Sequence, residues 1–314
     1  MRVAVIGSGG VGGFVGGKLA KAGHEVAFLA RGAHLEALRA HGLRVKSVEG
    51  DFDLPSVVAT DRPEELGPAD LFLFTVKTYD TESAAASLKP LLQPGATVLT
   101  LQNGIDNHER IDAVLGSGVA LPGTIRIETS IAEPGVISHT SKGYLIRFGE
   151  VGSDGAKSER VESLRAAFAD AGLSVHVPRD MRVDLWSKFL LIVPFSGLTT
   201  LARATLGEIL DSPELTATFE AVTREVAAIA TAEGAHLGDD AVEKQMATVR
   251  GLHPEFKSSM QRDLERGKRL EIEALAGALV RLGQKHGIPT PVTACINAVL
   301  GLEDRRARAA TTPA

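Results

Sequence analysis

With 314 residues, 44% of them hydrophobic and 23% charged, the chain is long enough for two domains, each with its own core. A formal net charge of −5 and an aromatic content of 4% supply neither the basic footprint nor the base-stacking surface that a nucleic-acid partner needs. The one cysteine, Cys295, excludes an internal disulfide and a cysteine-rich metal site; its apolar helical surroundings predict a buried structural thiol.

A short apolar run over residues 3–6 predicts a buried strand, followed by Gly7-Ser8-Gly9-Gly10-Val11-Gly12, a G-x-G-x-x-G. Helical spacing over 13–22, a stop at Gly23-His24 and a second strand over 25–29 complete the β-α-β setting that the dinucleotide fingerprint requires. Gly7 serves the tight turn, Gly9 the approach of backbone to a pyrophosphate, and Gly12 the packing of helix on strand. With Ser8, Gly10 and Val11 they form a cradle in which N–H groups and the helix dipole hold the anion. An NAD site usually places Asp or Glu at the end of the second strand, but here the positions are Leu29, Ala30 and Arg31. A guanidinium binds a 2′-phosphate through two parallel charge-assisted bonds, so Arg31 points to NADP(H).

The pattern then predicts a helix over 33–41, short strands near 43–48 and 57–59, and a buried strand over 71–76 ending in Lys77-Thr78-Tyr79-Asp80. Ligands bind beyond the carboxyl ends of parallel strands, which places this segment beside the ligand. A helix over 81–91 stops at Pro94-Gly95, and a strand over 97–101 delivers Gln102-Asn103-Gly104 to the same edge. Strands over 119–126 and 136–148, a helix over 158–171 and a strand over 173–177 complete a domain spanning 1–178. From 179 to 314 helical periods take over, with helices predicted at 184–193, 212–233, 239–250 and 270–286 and a fraying tail from Asp304. The fold class is therefore α/β: an N-terminal Rossmann-type doubly wound domain, then an all-helical C-terminal domain, with the active site expected in the cleft between them. No apolar run reaches about 18 residues, which predicts no membrane partner and a cytoplasmic location. The histidines show no H-x-x-x-H spacing, so no metal site is expected, and His34, His41 and His108 read as surface residues.

Taken together, GSGGVG with Arg31, TVKTYD, QNG, LWSKF, SSMQRDLERGKRLEIEALAG and HGIPTP resemble the ketopantoate reductase (2-dehydropantoate 2-reductase) family along nearly the whole chain. Segment 258–277, read as helical, is the most specific match after the fingerprint. The resemblance implies a Rossmann domain that binds NADPH and a helical domain that closes over a branched 2-oxo acid. It implies that Lys188 is the catalytic lysine, Glu271 the acid near it, Ser259 the substrate-binding serine and Lys77 a lysine of the cofactor cleft. Asn103 matches the active-site asparagine; with Glu271 it is expected near the cofactor as well. The family often forms homodimers.

These roles suit the chemistry. Hydride addition to a ketone leaves an alkoxide, and a lysine ammonium supplies positive charge and then a proton. Glu271 either orients the lysine or bonds a substrate hydroxyl, and Glu265 and Glu273 compete for its role. Read alone, Lys188 is a solvated helix lysine, Asn103 a turn-former, and Ser258 and Ser259 a helix cap.

The chain departs from the family near the substrate. Asparagines commonly follow the lysine by four and eight residues; here those positions hold Ile192 and Ser196, and Pro194 is expected to interrupt the helix. An unmade hydrogen bond to a buried polar group costs about 1–3 kcal/mol, so the substrate is either ketopantoate or a more apolar 2-oxo acid. A non-catalytic NADP(H)-binding regulator is a third reading, and the retention of Lys188, Asn103, Ser259 and Glu271 argues against it.

Overall fold

The computed structural model describes residues 1–152 and 158–311. The chain forms two compact units: Met1–Gln102 with Asn107–Met181, and Asn103–Asp106 with the chain from Arg182 onward.

In the first unit the order is β1 (Arg2–Ile6), α1 (Gly10–Lys21), β2 (Glu25–Leu29), α2 (Gly32–His41), β3 (Leu43–Ser47), β4 (Phe52–Leu54), β5 (Val58–Thr60) and β6 (Leu71–Phe74). Then come α3 (Thr81–Leu88), β7 (Thr97–Thr100), α4 (Asn107–Leu115), β8 (Ala120–Arg126), β9 (Thr129–Glu133), β10 (Val136–His139), β11 (Leu145–Phe148), α5 (Glu159–Asp170) and β12 (Val175–His176). The main sheet runs β12-β11-β8-β7-β6-β1-β2-β5. From β8 to β5 its strands are parallel, and β11 joins β8 antiparallel.

Parallel strands covered on both faces read as unbroken apolar runs. β6 is wholly buried, with Leu71 and Leu73 in one core and Phe72 and Phe74 in the other. β1 alternates likewise, Val3 and Val5 against Ala4 and Ile6. The chain winds outward from β1 through β2 and β5 on one side, and through β6, β7 and β8 on the other. The direction reverses between β1 and β6, where Ile6 stands opposite Phe74. That switch point is where doubly wound sheets bind ligands.

A second sheet, β4-β3-β10-β9, was not expected. The run predicted as one strand over 136–148 is two strands, β10 and β11, in different sheets. The three-residue β4 and the half-exposed β9 carry too little apolar alternation to announce themselves. A Cβ on Gly13 would lie 2.7 Å from Ile137 of β10, and one on Gly16 2.6 Å from Val5 of β1. Glycine inside a helix costs roughly 0.5–1 kcal/mol relative to alanine. Here it lets α1 lie close against both sheets.

The second unit contains α6 (Met181–Ala202), α7 (Leu206–Asp211), α8 (Pro213–Ala232), α9 (Ala241–Arg250), α10 (Ser259–Glu265), α11 (Ala276–His286) and α12 (Pro291–Thr311). α6 continues through Pro194 instead of stopping before it. Leu190, Val193, Leu198, Thr199 and Thr200 are all buried, so packing outweighs the lost backbone bond. α6 is also long and apolar enough to cross a membrane, but 67% of its apolar window is buried inside the protein, as in a core helix.

The helical readings of 258–277 and 270–286 together imply one helix, but the stretch 258–286 is not helical throughout. α10 ends as Gly267 takes φ +63°, and the N–H groups of Gly267 and Lys268 bond to Leu264 and Asp263 carbonyls. Residues 268–271 are irregular, and a 3₁₀ turn at Ile272–Ala274 leads into α11. The tail expected to fray from Asp304 instead extends α12 to Thr311; residues 312–314 lie outside the described residues. Cys295 is exposed, contrary to expectation, because α12 turns Thr293, Ile296 and Leu300 inward.

Candidate active site

The glycine loop sits at the carboxyl end of β1. Gly7 adopts φ +99°, and a Cβ there would lie 2.7 Å from the Val76 nitrogen. A Cβ on Gly12 would lie 2.2 Å from the Gly7 carbonyl oxygen and 2.5 Å from Thr75 Oγ1. Thr75 donates its hydroxyl to that carbonyl at 2.7 Å, locking the loop to the end of β6. Gly9 precedes α1 with no side-chain cap, no acid in the first turn and open space where a Cβ would stand. The first helical bond runs from the Gly13 N–H to the Gly9 carbonyl at 2.7 Å. The N–H groups of Gly10, Val11 and Gly12 lie ahead of it, at the positive end of the helix. Open space at Gly9 and an uncapped helix start fit a dinucleotide pyrophosphate.

Other residues buttress this cradle. Buried Ser8 sends both its N–H (3.1 Å) and its hydroxyl (2.8 Å) to the Leu29 carbonyl, tying the loop to β2. Gly10 backs onto Thr129 of β9, where a Cβ would fall 2.6 Å from the carbonyl oxygen. Arg31 is exposed at the N-cap of α2. His34, one turn on, is half-buried and not a surface residue: its Nδ1 accepts the Gly135 N–H at 3.0 Å, and burial lowers its pKa below the ordinary value. Lys77 follows the loop after β6. Gln102, buried, donates to the Val76 carbonyl (2.9 Å) and Thr81 Oγ1 (3.0 Å), bracing that loop. Sequence reasoning did not single out Thr75 or give Gln102 a role of its own; only the QNG match hinted at the latter.

In the helical unit, Lys188 of α6 is only 9% exposed, and its Nζ donates to Asn103 Oδ1 at 2.8 Å. Asn103 opens the four-residue segment that follows β7 and packs with this unit, where Arg281 also lies 3.8 Å from Asp106. Ile192, half-buried, and Ser196, buried, follow Lys188 at i+4 and i+8 on the same side of α6. They stand about 6 and 12 Å further along its axis. Ser258 is the true cap of α10, accepting the Gln261 N–H at 3.1 Å and bonding Thr199 at 3.0 Å and Thr200 at 3.3 Å. That network stitches α10 to α6 and leaves Ser259 exposed at the first position of α10.

Among the three competing acids, burial discriminates. Glu265 pairs with Lys257 at 2.9 Å and Glu273 with Arg281 at 3.2 Å, both on the surface, whereas Glu271 is 9% exposed. A buried ammonium fixed by an amide oxygen, with a buried carboxylate on the same unit, can stabilise and protonate an oxyanion. No cluster of three metal-ligating side chains occurs among the described residues.

Comparison with known proteins identifies the family. The family described as ketopantoate reductase PanE/ApbA matches residues 3–152, and its C-terminal region matches residues 180–303. A 2-dehydropantoate 2-reductase of Halobacterium salinarum is 35% identical over 309 residues, 97% of this chain and 99% of its own. The crystal structure of a PanE/ApbA family ketopantoate reductase from Ralstonia eutropha JMP134 aligns with a TM-score of 0.90 at 34% identity, over 98% of this chain and 100% of that one. D-mandelate dehydrogenase, in a ternary structure with NADH and anilino(oxo)acetate, shares the fold alone: TM-score 0.89 at 20% identity, over 98% and 100% of the two chains. With both units matched and the motifs of each in place, the chain belongs to the ketopantoate reductase family, oxidoreductases that act on a CH–OH group.

Proposed function

We propose that the protein uses NADPH to reduce a 2-oxo acid to the 2-hydroxy acid, with ketopantoate, whose product pantoate feeds pantothenate and coenzyme A synthesis, as first candidate. One observation carries the reading: the buried Lys188 ammonium held at 2.8 Å by Asn103. Gly7 to Gly12 and the start of α1 would hold the pyrophosphate, Arg31 the 2′-phosphate, and Lys77 the cofactor's other end, with Asn103 and Glu271 near it. NADPH, when bound there, would supply the hydride for the carbonyl carbon. Lys188 bonds the carbonyl oxygen, stabilises the alkoxide charge, and gives up a proton to form the hydroxyl; solvent then reprotonates the amine. Asn103 takes one of the three ammonium donors and so fixes where the others point. Ser259 binds the substrate, and Glu271 orients Lys188 or bonds a substrate hydroxyl.

Ile192 favours a second reading of the substrate. A half-buried isoleucine one turn beyond Lys188 offers an apolar wall where a hydroxyl would find no partner, which suits a more apolar 2-oxo acid. A cytoplasmic homodimer is part of the proposal; exposed Val299 and Leu302 on α12 offer it an apolar contact.

The test is a panel of 2-oxo acids, ketopantoate included, followed by loss of nicotinamide absorbance with NADPH and with NADH. Turnover of at least one acid is expected, with NADPH preferred by about tenfold or more. Tight NADPH binding without turnover of any acid would favour the regulator reading instead.

A further inference from the structure

Residues 268–271 have no regular secondary structure, yet Leu270 and Glu271 are both buried. A buried backbone N–H outside a helix or sheet needs an acceptor from elsewhere. The Leu270 N–H finds one 34 residues along the chain, in Asp304 Oδ1 of α12, at 2.7 Å. Arg269 Nε lies 3.7 Å from the same oxygen, and the Asp304 side chain is only 14% exposed. Downstream, the Ala274 N–H bonds to the Glu271 carbonyl at 3.2 Å and begins the 3₁₀ turn. Glu271 is thus bracketed. Its own turn holds it from one side, and a carboxylate on the last helix fixes the Arg269–Leu270 peptide, one residue upstream.

We infer that Asp304 is a positioning residue for Glu271: it fixes the Leu270 peptide and so sets where the Glu271 carboxylate points during reduction. This rests on the role given to Glu271 above. It also assigns the second half of α12, 33 residues beyond Glu271, a part in the site.

The test is a double-mutant cycle of Asp304→Ala and Glu271→Gln, with kcat and KM for the best 2-oxo acid, the pH profile of kcat/KM, and NADPH affinity as readouts. Asp304→Ala is expected to lower kcat/KM by about ten- to a hundredfold, as misplacement of a site group does, with NADPH affinity unchanged. Asp304→Asn, which keeps the acceptor for Leu270, should restore most of it. In the Glu271→Gln background Asp304→Ala should add no more than about a twofold loss and leave the pH profile unaltered. If Asp304→Ala does not fold, Asp304→Ser, whose hydroxyl falls short of the Leu270 N–H, takes its place. Equal losses in both backgrounds, or an intact Asp304→Ala beside a damaged Glu271→Gln, overturn the inference alone. Full activity of Glu271→Gln overturns it together with the role of Glu271.

Discussion

The glycine cradle lies between Gly7 and Arg31 and is held by backbone: a φ of +99° at Gly7, a carbonyl 2.2 Å from where a Gly12 Cβ would be. The lysine site is held by side chains drawn from far apart, with Lys188 meeting Asn103 across 85 residues. The cradle therefore leaves no room for a side chain at Gly7, Gly10 or Gly12 and says little about what is reduced. The lysine site can keep its hydrogen bond to Asn103 while Ile192 and Ser196, further along the same helix, vary. Anion binding is generic chemistry done with main-chain N–H groups, whereas in the proposed reaction substrate choice would rest on the side chains one and two turns beyond the lysine.

The largest effect that separates the two regions is expected at Gly12. Gly12→Ala forces its Cβ into the backbone of the Gly7 turn, so NADPH affinity should fall by about a hundredfold or more, read by fluorescence titration. The helical unit should keep its far-ultraviolet signature; loss of both together would mean that the cradle also organises the second unit.

Arg31→Ala is the next in size. Removing the guanidinium should weaken NADPH by about ten- to a hundredfold and NADH by far less, since only the former carries the 2′-phosphate. Equal losses for both would take Arg31 out of cofactor selection.

Ile192→Asn sharpens the other side of the comparison. Restoring a hydrogen-bonding group beyond Lys188 should raise kcat/KM for ketopantoate by up to about tenfold and leave NADPH affinity alone. A fall for ketopantoate would show that this wall is already matched to it.

The smallest effect expected is a pH dependence. His34 bridges α2 to Gly135, and burial lowers its pKa below 6.5. The unfolded chain then binds the proton more readily, so this contribution to stability is complete above about pH 6.5 and fades as pH falls through the lowered folded value. Melting temperatures at about pH 5 and pH 7.5 should differ less in His34→Gln than in the parent, and identical differences would remove His34 from the balance.

Which features could be read from the chain follows from the same contrast. The strand over Glu25–Leu29, the helix over Gly32–His41 and the buried LFLF run each announce themselves within a few residues, because their periodicity is local. The second sheet could not be read, since its short strands gain their stability from α1 and from one another. Burial in the core carries α6 through Pro194, and the bond to Asp304 helps to hold an irregular stretch at Leu270 inside a segment of helical period. Family resemblance named Lys188, Asn103 and Glu271, and only the folded chain shows that Lys188 meets Asn103 and that Glu271 is the buried acid of the three.

In the proposed reaction Lys188 delivers the proton that completes reduction. Lys188→Ala, assayed under single-turnover conditions with saturating NADPH and the best 2-oxo acid, should lower the rate of nicotinamide oxidation by about 10²–10⁴-fold while NADPH binds as before. An unchanged rate would mean that Lys188 is not the proton donor.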